Sequence, residues 1–172
     1  MTRLNRRDLG LLALRAGIGT VLAAHGSQKL FGWFGGGGIS RTAEGMRAMG
    51  FTPGKPSAVA ASLCEAGGGL LLALGLATPV AGAVAAGGMA GAASVHVSNG
   101  FFAQKGGLEY PGLIGWTAAS LGIMGPGHYS LDHATGHRLD RSWMVPVALA
   151  AGALGTTLIL RKRLKENAED ED

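Results

Sequence analysis

The chain has 172 residues, enough for one domain, and 47 % of them are hydrophobic while only 15 % are charged. Its 31 glycines come without a collagen-like period or Pro/Ser enrichment, which excludes a fibrous or disordered chain. The net charge of +4 lies at the chain ends and in loops, which argues against a nucleic-acid-binding face, and the single cysteine, Cys64, excludes an intrachain disulfide and a dithiol centre.

Five apolar runs follow one another: residues 9–34, 58–77, 80–97, 108–125 and 143–160. Most approach the ~17–25 residues that cross a bilayer core as a helix; the fourth is marginal and begins in the interface. The basic flanks Arg3, Arg6 and Arg7, and Arg161, Lys162, Arg163 and Lys165, suit membrane anchoring. The fold expected is an all-α polytopic transmembrane helix bundle. Residues 1–141 form a four-helix core, 142–161 an additional C-terminal transmembrane helix, and 162–172 a charged, disordered tail.

Asn5-Arg6-Arg7-Asp8-Leu9 has the look of a twin-arginine signal. However, Arg15 interrupts the apolar stretch and Ala23-Ala24-His25 is a poor cleavage site, so a retained first helix is expected. Thr78-Pro79 makes a tight hairpin between the second and third runs. Gly87 with Gly91, and Gly115 with Ala119, have the small-residue spacing that lets helices approach. The charge counts of the two faces oppose each other; the Arg-rich first flank favours an N-terminus inside the cell.

Ionisable groups inside a membrane are costly and need a partner or a function. Arg15, His25 and Lys29 fall within roughly 80° of one another at ~100° per residue, so all three can face the bundle interior. Arg15 and Lys29 stand roughly 21 Å apart along the helix and belong to opposite membrane faces. Alternating topology places His25, Lys29, Glu65, His96, Glu109 and Tyr110 in one half of the bundle, from four helices. Lys29 and the histidines can donate to carbonyl oxygens, Glu65 can carry a proton, and His96 can exchange one. A flat apolar molecule with polar oxygens at its edge, a quinone, suits this set. A structural network, with Glu65 on Lys29 and His96 on Glu109, accounts for the same residues. Haem ligation by His25 and His96, or a metal held by these histidines with Glu65 and Glu109, lacks supporting spacing. His133 and His137 are read as a plain loop and no metal site is expected. At the opposite face, Gly125-Pro126-Gly127 forces a turn after which Asp132 is expected to reach Arg15.

Taken in order, Arg15, His25-Gly26, Lys29-Leu30, Glu65-Ala66-Gly67-Gly68-Gly69, Gly75-Leu76-Ala77-Thr78, His96, Gly100-Phe101-Phe102, Gly107, Glu109-Tyr110-Pro111, Gly125-Pro126-Gly127 and Ser130-Leu131-Asp132 resemble the DoxX family of prokaryotic integral membrane proteins. The resemblance spans about residues 6–140. It implies a four-helix membrane bundle in the plasma membrane and a membrane redox role, as in the membrane subunit of thiosulfate:quinone oxidoreductase or in oxidative-stress-response complexes. Arg15, His25, Lys29, Glu65, His96, Glu109, Tyr110, Ser130 and Asp132 carry over as motif positions. No nucleotide-binding loop, flavin fingerprint or dithiol pair is visible, so electrons would travel on a quinone or on a partner's cofactor.

The reading this favours is a membrane component of a quinone-linked oxidoreductase or stress-response complex, with a polar intramembrane cluster at the quinone head group. Glu65 and His96 would move protons, and His25, Lys29, Glu109 and Tyr110 would hold the ligand. Arg15, Ser130 and Asp132 would be structural. The alternative is a non-catalytic anchor or scaffold for a soluble redox partner. The partners to expect are the lipid bilayer, a soluble redox protein and a further copy of the chain, and not nucleic acid.

Overall fold

The computed structural model describes residues 5–169. Among them there is no strand, and the chain is an all-α bundle. In chain order the helices are α1 (Arg6–Phe31), α2 (Gly38–Ala48), α3 (Gly54–Leu74), α4 (Thr78–Ser94), α5 (Glu109–Met124), α6 (Leu131–Ala134) and α7 (Met144–Glu169). Their ends follow local chemistry. Asn5 caps α1 by accepting the Arg7 N–H at 3.0 Å, and Gly32, in the left-handed region, ends it. Gly75 ends α3 in the same way, and Pro79 opens α4.

Helices α1, α3, α4 and α5 close a ring, each packed on the next, with α1 and α3 making the most extensive contact. The short α2 lies against α1 and α3, and α7 packs outside the ring, on α4. The packed faces are made of small residues. Gly68, Gly69, Ala81, Gly82, Ala85, Gly115, Ala118 and Gly122 are buried. A Cβ on Gly19 would stand 2.5 Å from the Gly69 carbonyl oxygen, and one on Gly82 would stand 2.6 Å from that of Ala118. The helices therefore touch backbone to backbone at α1–α3 and at α4–α5, as membrane helices do.

Leu22, Leu72, Ile114 and Leu121 fill the core between them, but many large apolar side chains point the other way. Leu63, Leu70, Leu113, Trp116 and Leu154 face outward, Trp116 at 77 % exposure. A surface of this kind needs lipid, not water, as its solvent. α1, α3 and α7 are long and apolar enough to cross a membrane. α4, which starts two residues before the run at 80–97, and α5 are each shorter than the corresponding apolar run, at 17 and 16 residues. The run at 80–97 is cut when the chain turns into a 3-10 turn over Val97–Asn99, and Gly125 stops α5.

The segment 162–169 differs from the sequence expectation of a disordered tail, because it continues α7 as helix. Tertiary contacts explain why. Arg163 Nε donates to the Met49 carbonyl at 2.8 Å, its Nη1 reaches Ser94 Oγ at 3.2 Å, and its guanidinium lies 5.0 Å from the centre of the Phe51 ring. Thr52 Oγ1 donates to Glu166 Oε2, and Lys162 stands 3.6 Å from Glu166 one turn away. Residues 170–172 of the expected tail lie outside the described residues.

Candidate functional site

The polar residues singled out in the sequence gather at two ends of the bundle. At the first end, α1 brings Lys29 against Glu65 in the middle of α3, and Lys29 Nζ pairs with Glu65 Oε1. Glu65 is 2 % exposed, and its other oxygen, Oε2, is buried with no hydrogen-bond partner among the described residues. A buried, unsatisfied carboxylate oxygen is costly and calls for an explanation at its own site.

Beside this pair lies a cavity of about 760 Å³ between α2, α3, α4 and α7. Lys29, Cys64, Glu65 and His96 are among its polar lining, and its walls are largely apolar, with Met46, Phe51 and Ile159 among them. Lys162, Arg163 and Glu166 also line it, so the charged end of α7 belongs to the cavity wall.

The six residues expected to converge here do not form one cluster. His25 and Tyr110 face each other across α1 and α5, with Nε2 3.3 Å from the tyrosine hydroxyl, and both are exposed. Neither lines the cavity. The reason is that α1 turns one flank to α3 and the other to α5, and a sector of 80° is wide enough to serve both. His96 is not satisfied by Glu109. It sits just past the end of α4 and its Nδ1–H donates to the Gly106 carbonyl at 2.8 Å, which in the neutral ring leaves Nε2 as the bare nitrogen. Glu109 instead accepts the Ala103 N–H at 2.9 Å and closes the 95–109 loop.

At the second end Arg15 is fully buried. Its Nη2 donates to the Tyr129 carbonyl at 2.6 Å, and its Nη1 to the carbonyls of Ala73 at 3.4 Å and Leu72 at 3.5 Å. The cation thus satisfies the last carbonyls of α3, where the helix dipole favours it. Asp132, also fully buried, does not pair with Arg15. It accepts the N–H of Ala77 at 2.9 Å, the N–H of Thr78 at 3.0 Å and the Thr78 hydroxyl at 2.8 Å. Ala77 has no side chain able to cap α4, so Asp132 caps that helix from a distant loop. Ser130 accepts the His133 N–H at 3.1 Å and donates to the Gly127 carbonyl at 2.6 Å. Gly75 lies between Arg15 and Ser130 with no room for a Cβ.

The sequence model of the DoxX family matches residues 10–98, just over half of the chain, from the first turns of α1 through the end of α4. The chain belongs to the DoxX family. No curated protein and no solved structure matches it. The matched part of this DoxX protein holds Arg15, His25, Lys29, Glu65 and His96, whereas α5, α6 and α7 lie beyond it.

Sequence reasoning missed three features of this DoxX protein. Thr78 shares the cap made by Asp132, and Cys64 faces the cavity next to Glu65. The third is a chain of histidines and aspartates at the Arg15 end. Asp8 accepts from His128 there at 2.8 Å, 120 residues away, a separation no local pattern reports.

Proposed function

We propose that this DoxX protein is a multi-pass component of a prokaryotic plasma membrane that takes a quinone into the α2–α3–α4–α7 cavity, in the service of a quinone-linked oxidoreductase or oxidative-stress-response complex. The observation that carries the reading is Glu65 Oε2, an acceptor without a partner, beside the Lys29 ammonium and a largely apolar cavity. A volume of about 760 Å³ is in the usual range for a small-molecule site. The apolar walls suit a ring and the start of an isoprenoid tail. Lys29 supplies a donor for a quinone oxygen, and Glu65 Oε2 supplies an acceptor for a quinol hydroxyl.

A bound quinone would supply two-electron, two-proton chemistry. Glu65 would receive one proton of the quinol, and the half-buried His96, with its bare Nε2, offers a second acceptor at the cavity wall. The electrons would leave to a cofactor on a soluble partner, since the chain carries no flavin fingerprint or dithiol. The ligand set therefore narrows from the sequence expectation to Lys29, Glu65 and His96, because His25, Glu109 and Tyr110 do not line the cavity.

Cys64 offers the test, being the only cysteine and part of the cavity lining. A short-chain quinone should slow the reaction of Cys64 with a membrane-permeant maleimide in the wild type and lose that effect in Glu65→Gln. Quinone should also be extracted with protein purified from native membranes. Equal labelling with and without quinone, together with a quinone-free extract, would overturn the reading.

A further inference from the structure

The Arg15 end of the bundle holds a second arrangement that the proposed quinone site does not use. His128, His133 and His137 lie together on the segment between α5 and α7. The rings of His128 and His133 are 4.7 Å apart, and those of His133 and His137 are 5.3 Å apart. An aspartate stands at each end. His128 Nδ1 is 2.8 Å from Asp8 Oδ2, and His137 Nδ1 is 3.1 Å from Asp140 Oδ2.

These contacts fix which nitrogens are available. A carboxylate can only accept, so the Nδ1 atoms of His128 and His137 carry protons, and in the neutral imidazole form each ring presents a bare Nε2. This is the carboxylate–imidazole pairing that orients metal-ligating histidines. His137 Nε2 lies 3.2 Å from His133 Nδ1. Two nitrogens bound at ~2.0–2.1 Å to a tetrahedral ion stand about 3.3 Å apart, so this pair already has a chelating separation.

The backbone builds the grip at a cost. His137 has φ 55°, in the left-handed region that favours glycine, directly after Gly136 at φ 73°. Its N–H donates to the Asp132 carbonyl at 2.7 Å, which ties the turn to the buried cap of α4. The four-residue α6 followed by two left-handed residues folds His137 back onto His133, although the segment between them is not helical throughout. The plain loop expected from the sequence is thus an ordered turn with two histidines at its mouth. A pocket of about 280 Å³ lies beside it, lined by Asn5, Asp8 and the three histidines among others.

Among the described residues no three His, Cys, Asp or Glu side chains are arranged to hold a metal ion as they stand. Two nitrogens are in place, and the third histidine, held at Nδ1 by Asp8, has a side chain 66 % exposed and room to turn its Nε2 toward them. We propose that His133 Nδ1 and His137 Nε2 bind a divalent transition metal of the zinc or copper type, with His128 Nε2 swinging in as third ligand and water completing the shell. On binding, the His133 proton moves from Nδ1 to Nε2 through solvent, so the ring stays neutral. Imidazole ligands without a thiolate or a carboxylate cage favour this class of ion over calcium or magnesium.

The test uses the full chain in detergent micelles, carrying an affinity tag free of histidine and stripped with a chelator. Zn²⁺ is titrated by calorimetry, and Cu²⁺ is followed by electron paramagnetic resonance. The expected result is one saturable site with at least two imidazole nitrogens on the copper. His133→Ala and His137→Ala should each weaken it by about tenfold or more, and Asp140→Asn by about tenfold through loss of orientation. His25→Ala and His96→Ala should leave it unchanged. No saturable binding by the wild type, a copper spectrum without two imidazole nitrogens, or affinity that survives the His133→Ala/His137→Ala double variant would each overturn the proposal. Because the wild-type spectrum is itself decisive, a variant that fails to fold does not remove the test. The site is separate from the Glu65 cavity, so its failure leaves the quinone reading standing.

Discussion

Glu65 gives one carboxylate oxygen to Lys29 and keeps the other, buried, without a partner. The two halves of that relationship have different consequences. Breaking a buried ion pair from one side strands a charge in a poor solvent and typically costs about 3–5 kcal/mol, whereas replacing both partners by apolar groups is often close to neutral. Lys29→Met should therefore destabilise the protein strongly in a reversible detergent-unfolding titration, and Lys29→Met/Glu65→Leu should recover most of the loss. A double variant as unstable as the single one would mean that the pair is not the dominant contact of either residue.

The carboxylate of Asp132 takes three hydrogen bonds from the start of α4, two from backbone and one from Thr78. Asp132→Ala should be worth more than any one of them. A hydrogen bond to a charged group contributes about 1.5–3 kcal/mol, so a loss of at least about 3 kcal/mol is expected. Thr78→Val removes only the hydroxyl bond and should cost about 1–2 kcal/mol. If the two variants unfold at the same detergent fraction, the remote cap is not what holds the α3–α4 hairpin.

Gly75 and Gly67 make a matched pair on α3. Gly75 has φ 65°, and a Cβ there would lie 1.9 Å from Arg15 Nη1 and 2.6 Å from Ser130 Cβ. At Gly67 a Cβ would meet nothing within 4 Å. Gly75→Ala should therefore displace the buried guanidinium and cost well over the ~1 kcal/mol of an ordinary left-handed cap, while Gly67→Ala should be neutral or slightly stabilising in a helix. Equal thermal stability of the two variants in micelles would contradict the packing at Arg15.

Much of the helix plan was legible because it rests on one-dimensional signals. The apolar runs, Gly75 and Pro79 announce α3 and α4 without tertiary information, and the depth of Lys29 and Glu65 in their helices puts the two at one level. The partners of His96 and Glu109 were not legible, because a fold-back of the 95–109 loop decides them. Nor was the direct Arg15–Asp132 pair sound. Depth placed both residues at the same end, but the free carbonyls of α3 and the free N–H groups of α4 are nearer calls on each charge. The helical segment 162–169 escaped for the same reason. Its composition reads as a solvated tail, and its order comes from Met49, Phe51, Thr52 and Ser94, residues far away in sequence.

That docking makes α7 a wall of the cavity rather than an appendage, and this can be measured. Arg163 ties α7 to the α2–α3 turn through Met49 and to the end of α4 through Ser94, and its ring contact covers Phe51. Ile159, Arg163 and Glu166 line the same space as Cys64. Removing the tie should let the end of α7 swing out and widen the approach to Cys64. Arg163→Ala, and more strongly a chain ending at Leu160, should speed the labelling of Cys64 by a water-soluble maleimide several-fold, with the helix content of residues 5–124 unchanged by circular dichroism. Arg163→Lys should give an intermediate rate, since an ammonium can keep the carbonyl contact but not the planar stacking on the aromatic ring. Labelling rates equal to wild type in both Arg163→Ala and the truncated chain would show that α7 does not close the cavity.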